Sequence, residues 1–316
     1  MKRRAFSSLV LAFATCAETA RADAADPGKT EAVHQPADAS DPARAVSVWT
    51  SLRAGVVEAP YPSETLTEAR SGAGQARLVR FGVAACVASD VSAGAHAAYV
   101  FAGVEQPAGS YRAAGVFGNP ILFATLSRSD LWSAFGSAIH GALSLSFGIP
   151  VAAERGEVYE QLDRRALAIG DALEGRTNPE IFTPNTLPLA ASGSLSLPLD
   201  QFDVGSSFEL PFLVRLSDDT VPNGAATSAV GFVPNAELYA TAWPWSWLGL
   251  TLGSTLAWPV IEPVYLANRT STPQLTLVPR VSFAVSRAVL LALDAAVAAG
   301  GHASGTSGAF SARLSM

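Results

Sequence analysis

Charge is scarce in this chain of 316 residues: Asp, Glu, Lys and Arg make up 15%, against about 25% in an ordinary soluble domain. Cysteine is scarcer, with two, and histidine occurs four times, as His34, His96, His140 and His302. Two cysteines exclude a disulfide framework. The scattered histidines lack metal-ligand spacing, so neither metal nor cofactor is expected. No G-x-S-x-G, G-x-G-x-x-G, P-loop or H-E-x-x-H occurs, which points away from an enzyme. The net charge is -6 and no long basic run is present, so nucleic acid is excluded as a partner. Long apolar runs free of charge are missing too. The best, Val281 to Gly300, holds Arg287 and Asp294, and a charge near mid-bilayer costs several kcal/mol. Ser286-Arg287 reads instead as a break between two strands.

What is present is apolar and rich in turns. Hydrophobic residues make up 49%, mean hydropathy is +0.27, and the chain holds 26 Gly and 20 Pro. That mixture fits many strands and many turns. Lys2, Arg3 and Arg4 precede the apolar stretch Ala5 to Ala17, and Ala20-Arg21-Ala22 offers a cleavage site. Residues 1–22 are therefore expected to be a signal peptide. The residues before Cys16, "FAT", lack the aliphatic that a lipoprotein anchor would carry. Cleavage removes four basic residues and one acid, which moves the net charge from -6 to -9. It also leaves Cys86 alone, so no intramolecular disulfide is expected. Residues 23–44 are polar and acidic and read as a flexible periplasmic lead-in.

From Ala45 to Met316 the dominant signal is alternation with a period of two, the mark of strands. In "QLTLVPRVSFAV", Leu275, Leu277, Val281, Phe283 and Val285 share one face, opposite Gln274, Thr276, Arg280 and Ser282. In "SSFELPFLVRL", Phe208, Leu210, Phe212, Val214 and Leu216 lie opposite Glu209 and Arg215. The pattern predicts about 12 strands, over 45–59, 75–87, 91–103, 117–127, 132–149, 187–199, 205–217, 226–242, 247–259, 273–285, 289–299 and 305–316. The connections run alternately long and short, as in an antiparallel up-and-down barrel with both termini on one side. A soluble β-sandwich also alternates, but its second face meets water and is rich in Lys, Glu and Thr. Here that face is mainly Ala, Gly and Ser with a few charges, as in a narrow lumen. The fold class expected is all-β, a transmembrane barrel over 45–316. Pro211, Pro234 and Pro279 fall inside predicted strands, where each must mark a bulge or a misplaced boundary.

The aromatic residues fit that reading. "ATAWPWSWLGL" puts Trp243, Trp245 and Trp247 at a short periplasmic turn, with Trp132 at another and Trp258 near the opposite rim. Amphipathic rings favour the headgroup level, so all five are expected at the membrane interface. Eight titratable residues, Arg80, His96, Glu209, Arg215, Glu237, Arg280, Asp294 and Arg313, fall on inward faces and are expected to line a pore. They either pair across the lumen or tune solute choice. In the longest connection, Val158, Leu162, Ala166, Ile169 and Leu173 recur at helical spacing, predicting one helix over 157–174 in an outside loop. It either constricts the mouth or caps the rim, with a loop before Pro179.

Arg80 and Gly82, then Gly118-Asn119-Pro120, then Gly148-Ile149-Pro150 give the stretch from Leu78 to Ala153 a family likeness. It resembles the outer-membrane transporters associated with phenol-degradation pathways, with Asn119 where that family usually has Asp. The resemblance implies an outer-membrane barrel that moves small compounds, hydrophobic ones among them. The expectation is thus a passive channel in the bacterial outer membrane, with outer-membrane lipid and a small solute as its partners. A closed structural or adhesion barrel and a soluble periplasmic β-protein are the alternatives.

Overall fold

A computed structural model describes residues 46–62, 69–105, 111–152, 166–173, 179–216, 229–261, 273–286, 288–299 and 304–316. The expected signal peptide and lead-in lie outside the described residues. So do 157–165 and 174 of the predicted helix. The β segments are β1 (Val46–Pro62), β2 (Ala69–Ala88), β3 (Val91–Glu105), β4 (Tyr111–Phe117), β5 (Ile121–Ala134), β6 (Ser137–Gly148) and β7 (Thr186–Leu199). They continue with β8 (Phe202–Arg215), β9 (Val230–Phe232), β10 (Asn235–Trp245), β11 (Leu248–Ala257), β12 (Gln274–Ala284), β13 (Val289–Ala299) and β14 (Ser304–Ser315).

Register reduces these to the twelve strands of a closed barrel. β3 pairs with β4 at Tyr99↔Phe117 and with β5 at His96↔Ile121. β4 and β5 are therefore one strand with a single extra residue at Gly118-Asn119-Pro120, a β-bulge. β8 pairs with β9 at Phe212↔Phe232 and with β10 at Glu209↔Asn235 in unbroken register. These too form one strand, interrupted at Val233-Pro234. Every neighbouring pair is antiparallel, β8 meets β10, and β1 closes on β14 from Ser47↔Ser315 to Glu58↔Ser304. The ring has no free edge, the condition for crossing hydrocarbon with strands. Among the described residues no helix is long and apolar enough to cross.

The prolines sit where the ladder is already broken. Arg215 donates its N–H toward β9, to Ala229, so alternate residues along β8 face the same way. Pro211 is one of these, and register carries it opposite Val233, in the interruption. Pro234 lies in that same gap. Pro279 falls where the pairing of β12 with β13 lapses between Leu277 and Arg280.

The start of β1 and the end of the chain lie together, with Val46 and Met316 exchanging two backbone hydrogen bonds of 2.8 Å. The short connections share that end. One of them differs from the sequence reading, which placed a turn at 128–131. β5 instead runs on to Ala134, and the chain turns at Phe135-Gly136, both with positive φ (52° and 80°), as a two-residue hairpin requires. The cause is a register shift between Arg128 and Trp132, which breaks the alternation without ending the strand.

The burial pattern inverts that of a soluble protein. Val79, Phe81, Leu145, Leu252, Leu277 and Leu293 are exposed, Leu252 at 63% and Leu145 at 70%. Their sequence neighbours Arg80, Ser144, Thr276 and Asp294 are buried on the inward side. Among the described residues two helices, α1 (166–173) and α2 (Pro179–Phe182), follow β6. α2 starts on Pro179, a residue suited to a first helical turn, and the loop expected before it lies outside the described residues.

Leu252→Arg, on the outward face at the middle of β11, should destabilise the barrel by about 2–4 kcal/mol. Thr251→Ser, one residue away on the inward face, should cost far less. Denaturant unfolding of liposome-refolded protein measures both.

Candidate functional site: the barrel interior

All eight titratable residues expected inside are turned inward, because strand alternation fixes their side. Arg80 and His96 sit on adjacent β2 and β3, Glu209 and Arg215 on β8, and Glu237 on β10. Arg280, Asp294 and Arg313 come from β12, β13 and β14. Arg80, His96, Glu209, Glu237, Asp294 and Arg313 are buried, and Arg215 and Arg280 are partly buried.

Register brings Arg280 directly opposite Asp294, and the Arg280 Nη2 lies 3.8 Å from the Asp294 Oδ2. Arg53 of β1 makes the tighter contact. Its Nη2 donates to the Asp294 Oδ1 at 2.6 Å, and its Nη1 donates to the Ser307 Oγ at 2.5 Å. One carboxylate thus lies between two guanidinium groups from different strands. Charge-assisted bonds of this kind are the strong ones. Near the terminal end, the Arg313 Nε donates to the Ser47 Oγ at 2.6 Å across the closing seam.

Several aromatic rings lie against the inner wall where a neighbouring strand offers glycine. The Trp49 ring covers Gly82 and the Phe123 ring covers Gly94, leaving no room for a Cβ at either. His96 stands between them, with ring centroids 5.9 Å from Trp49 and 6.1 Å from Phe123. On the opposite wall Tyr239 covers Gly205, close to Glu237 and Asp203 and hydrogen-bonded with Ser196.

That geometry divides the tryptophan cluster. Trp245 and Trp247 are exposed and stack at 5.7 Å, and Trp247 stacks on Phe283 at 6.4 Å. Trp132 is also exposed, at 71%. Trp243, expected beside them, faces the interior. Its ring lies over Gly249 and its Nε1 donates to the Asp203 Oδ2 at 2.8 Å. The reason is parity: Trp243 shares the inward side of β10 with Glu237 and Thr241, and the bulge between Ala242 and Trp245 displaces only the residues after it. Trp258, just past β11, is half-buried.

The two helices also lie inside. Every residue of α1 is buried. Leu167, Ile169 and Leu173, with Ile181 and Phe182 of α2, form one apolar cluster with the inward residues Val57, Leu78, Val100 and Val116. The Ser307 hydroxyl donates to the Leu173 carbonyl at 3.1 Å. An amphipathic helix on an outer rim would leave one face to water, and this one leaves none. Among the described residues no group of His, Cys, Asp or Glu has the arrangement of a metal site.

No family model and no curated protein matches the chain. The likeness to the phenol-degradation transporters therefore rests on its short motifs. In structure, the chain is similar to the COG4313 outer membrane channel from Pseudomonas putida F1. That match has a TM-score of 0.61 and 10% identity, and covers 92% of this chain and 100% of that one. Weaker matches include the translocator domain of the autotransporter NalP from Neisseria meningitidis, with a TM-score of 0.46, 10% identity and 98% and 97% coverage. The NanC porin gives a TM-score of 0.47 at 9% identity, covering 84% of this chain and 98% of that one. At such identities the likeness is one of fold, that of bacterial outer-membrane barrels.

Asp294→Ala leaves two guanidinium groups without their shared carboxylate and should cost about 3–5 kcal/mol in stability. The double substitution Arg53→Met with Asp294→Leu should cost less, because it removes charge from both sides of the closest contact. Denaturant midpoints of the three proteins, at unchanged slope, provide the check.

Proposed function

We propose that the protein is a passive channel of the bacterial outer membrane, exported by the signal peptide at residues 1–22, for small solutes including hydrophobic ones. The observation that carries this reading is the chemistry of the two faces. Exposed apolar side chains cover the outside of a closed barrel, while arginines, carboxylates and hydroxyls face its interior. A protein that only needed to stay in the membrane could fill a barrel this size with apolar side chains, since burying charge carries a desolvation penalty of several kcal/mol per ion. Retained charges of both signs suit a wetted path that discriminates among solutes. In this reading Arg80, His96, Glu209, Arg215, Glu237, Arg280, Asp294 and Arg313 line the pore, joined by Arg53. Trp132, Trp245, Trp247 and Trp258 anchor the rims in lipid. No catalytic step and no cofactor is assigned.

A second reading is favoured by one observation. The buried α1 and α2 occupy interior space, and a fully plugged lumen would make the protein a structural or adhesion barrel.

Refolded protein, shown by its heat-modifiable migration to be a folded barrel, should give discrete ohmic steps in planar bilayers. Arg280→Ala should then alter the ion preference of those steps. A folded barrel that stays silent contradicts the channel reading and leaves the structural one.

A further inference from the structure

We propose that α1, α2 and residues 183–185 form the size-setting constriction of the channel, and that Asn119 is the positioning residue that holds them at a fixed aperture. This rests on the channel reading.

The wall supplies the attachment point. The extra residue between β4 and β5 places Asn119 in the bulge, fully buried. Its backbone N–H donates to the Ile181 carbonyl at 2.9 Å. Its side-chain Nδ2 donates to the Glu180 carbonyl at 3.0 Å and to the Thr183 carbonyl at 2.9 Å. Its Oδ1 accepts from the Ala152 N–H at 2.8 Å. Ala152 lies on the chain leaving the wall after β6, and residues 180–183 lie on the chain returning to β7. One side chain thus ties both arms to the same point of the barrel. Only a carboxamide has donors and an acceptor in the required places, because an ionised Asp accepts but cannot donate. Gly118 permits the approach: a Cβ there would stand 2.5 Å from the Ile181 Cγ2.

The rest of the segment is fixed to one arc. Leu167, Ile169, Leu173 and Phe182 pack on the apolar inner face of β1–β4, and Ser307 binds the carbonyl at the end of α1. Glu209 of β8 and Glu237 of β10 lie across the ring, since β8 and β10 stand half the circumference from β1. Solute therefore passes between the apolar-anchored segment and that polar wall, and the width of the gap follows the segment's position.

Single-channel recording and liposome swelling with sugars of graded size test this on the full chain. Asn119→Ala should raise the unit conductance and admit larger sugars than the parent. Asn119→Asp keeps the acceptor for Ala152 and loses both donors, so it should do the same, and it serves if the alanine variant does not refold. A Cys86→Ser background with Val100→Cys and Gly170→Cys provides a tether, because a Cβ at Gly170 would lie 2.6 Å from the Val100 Cγ2. Oxidation of that pair should restore the parental size cut-off in the Asn119 variant, and reductant should abolish the restoration. Parental current that the folded Asn119 variants leave unchanged in size and cut-off would overturn the aperture assignment alone. A folded parent without current would overturn the channel reading and the aperture with it.

Discussion

Everything in this structure depends on the cost of an unpaired peptide group in hydrocarbon. Lipid offers no hydrogen-bond partner, so each N–H and C=O of a crossing strand must be met by another strand. Closure of β1 on β14 removes the last edge. The same constraint explains where proline is tolerated. Pro211, Pro234 and Pro279 stand at interruptions of the ladder, where no donor is demanded.

Closure then forces the division of side chains. Period-two alternation sends each strand's apolar residues to lipid and the intervening ones to the interior. Inside, charges survive by meeting partners from distant parts of the sequence, as Arg53 meets Asp294 and Ser307. Small residues on one strand make space for rings from the next, as Gly82 does for Trp49. The inserted helices fill the arc of β1–β4 that presents apolar side chains inward, so the interior holds one packed side and one polar side.

Much of the fold was legible in the sequence, because alternation is local. The apolar face, the inward placement of eight titratable residues and the twelve strands all follow from counting residues by twos. Errors arose where one or two extra residues on a strand shifted the register. The shift between Arg128 and Trp132 disguised a continuous strand as a turn. The bulge after Ala242 disguised the inward Trp243 as a partner of Trp245. Arg53 was within reach, since it alternates with Ser47, Trp49 and Ser51 along β1. The role of Asn119 was not, because its partners lie 33 to 64 residues away and no periodicity links them. Nor does an apolar stripe say what covers it, and α1 turned out to be covered on every side.

The central claim is that alternate residues of one strand face lipid and the barrel interior. Spin labels placed one at a time along β12, from Gln274 to Ala284, in liposome-refolded protein test it directly. The account predicts that labels at Leu275, Leu277, Val281 and Phe283 collide with oxygen dissolved in lipid. Those at Gln274, Thr276, Arg280 and Ser282 should instead be shielded from it. Accessibility without a period of two, or with the two sets exchanged, would contradict the inside-out barrel on which every other assignment depends.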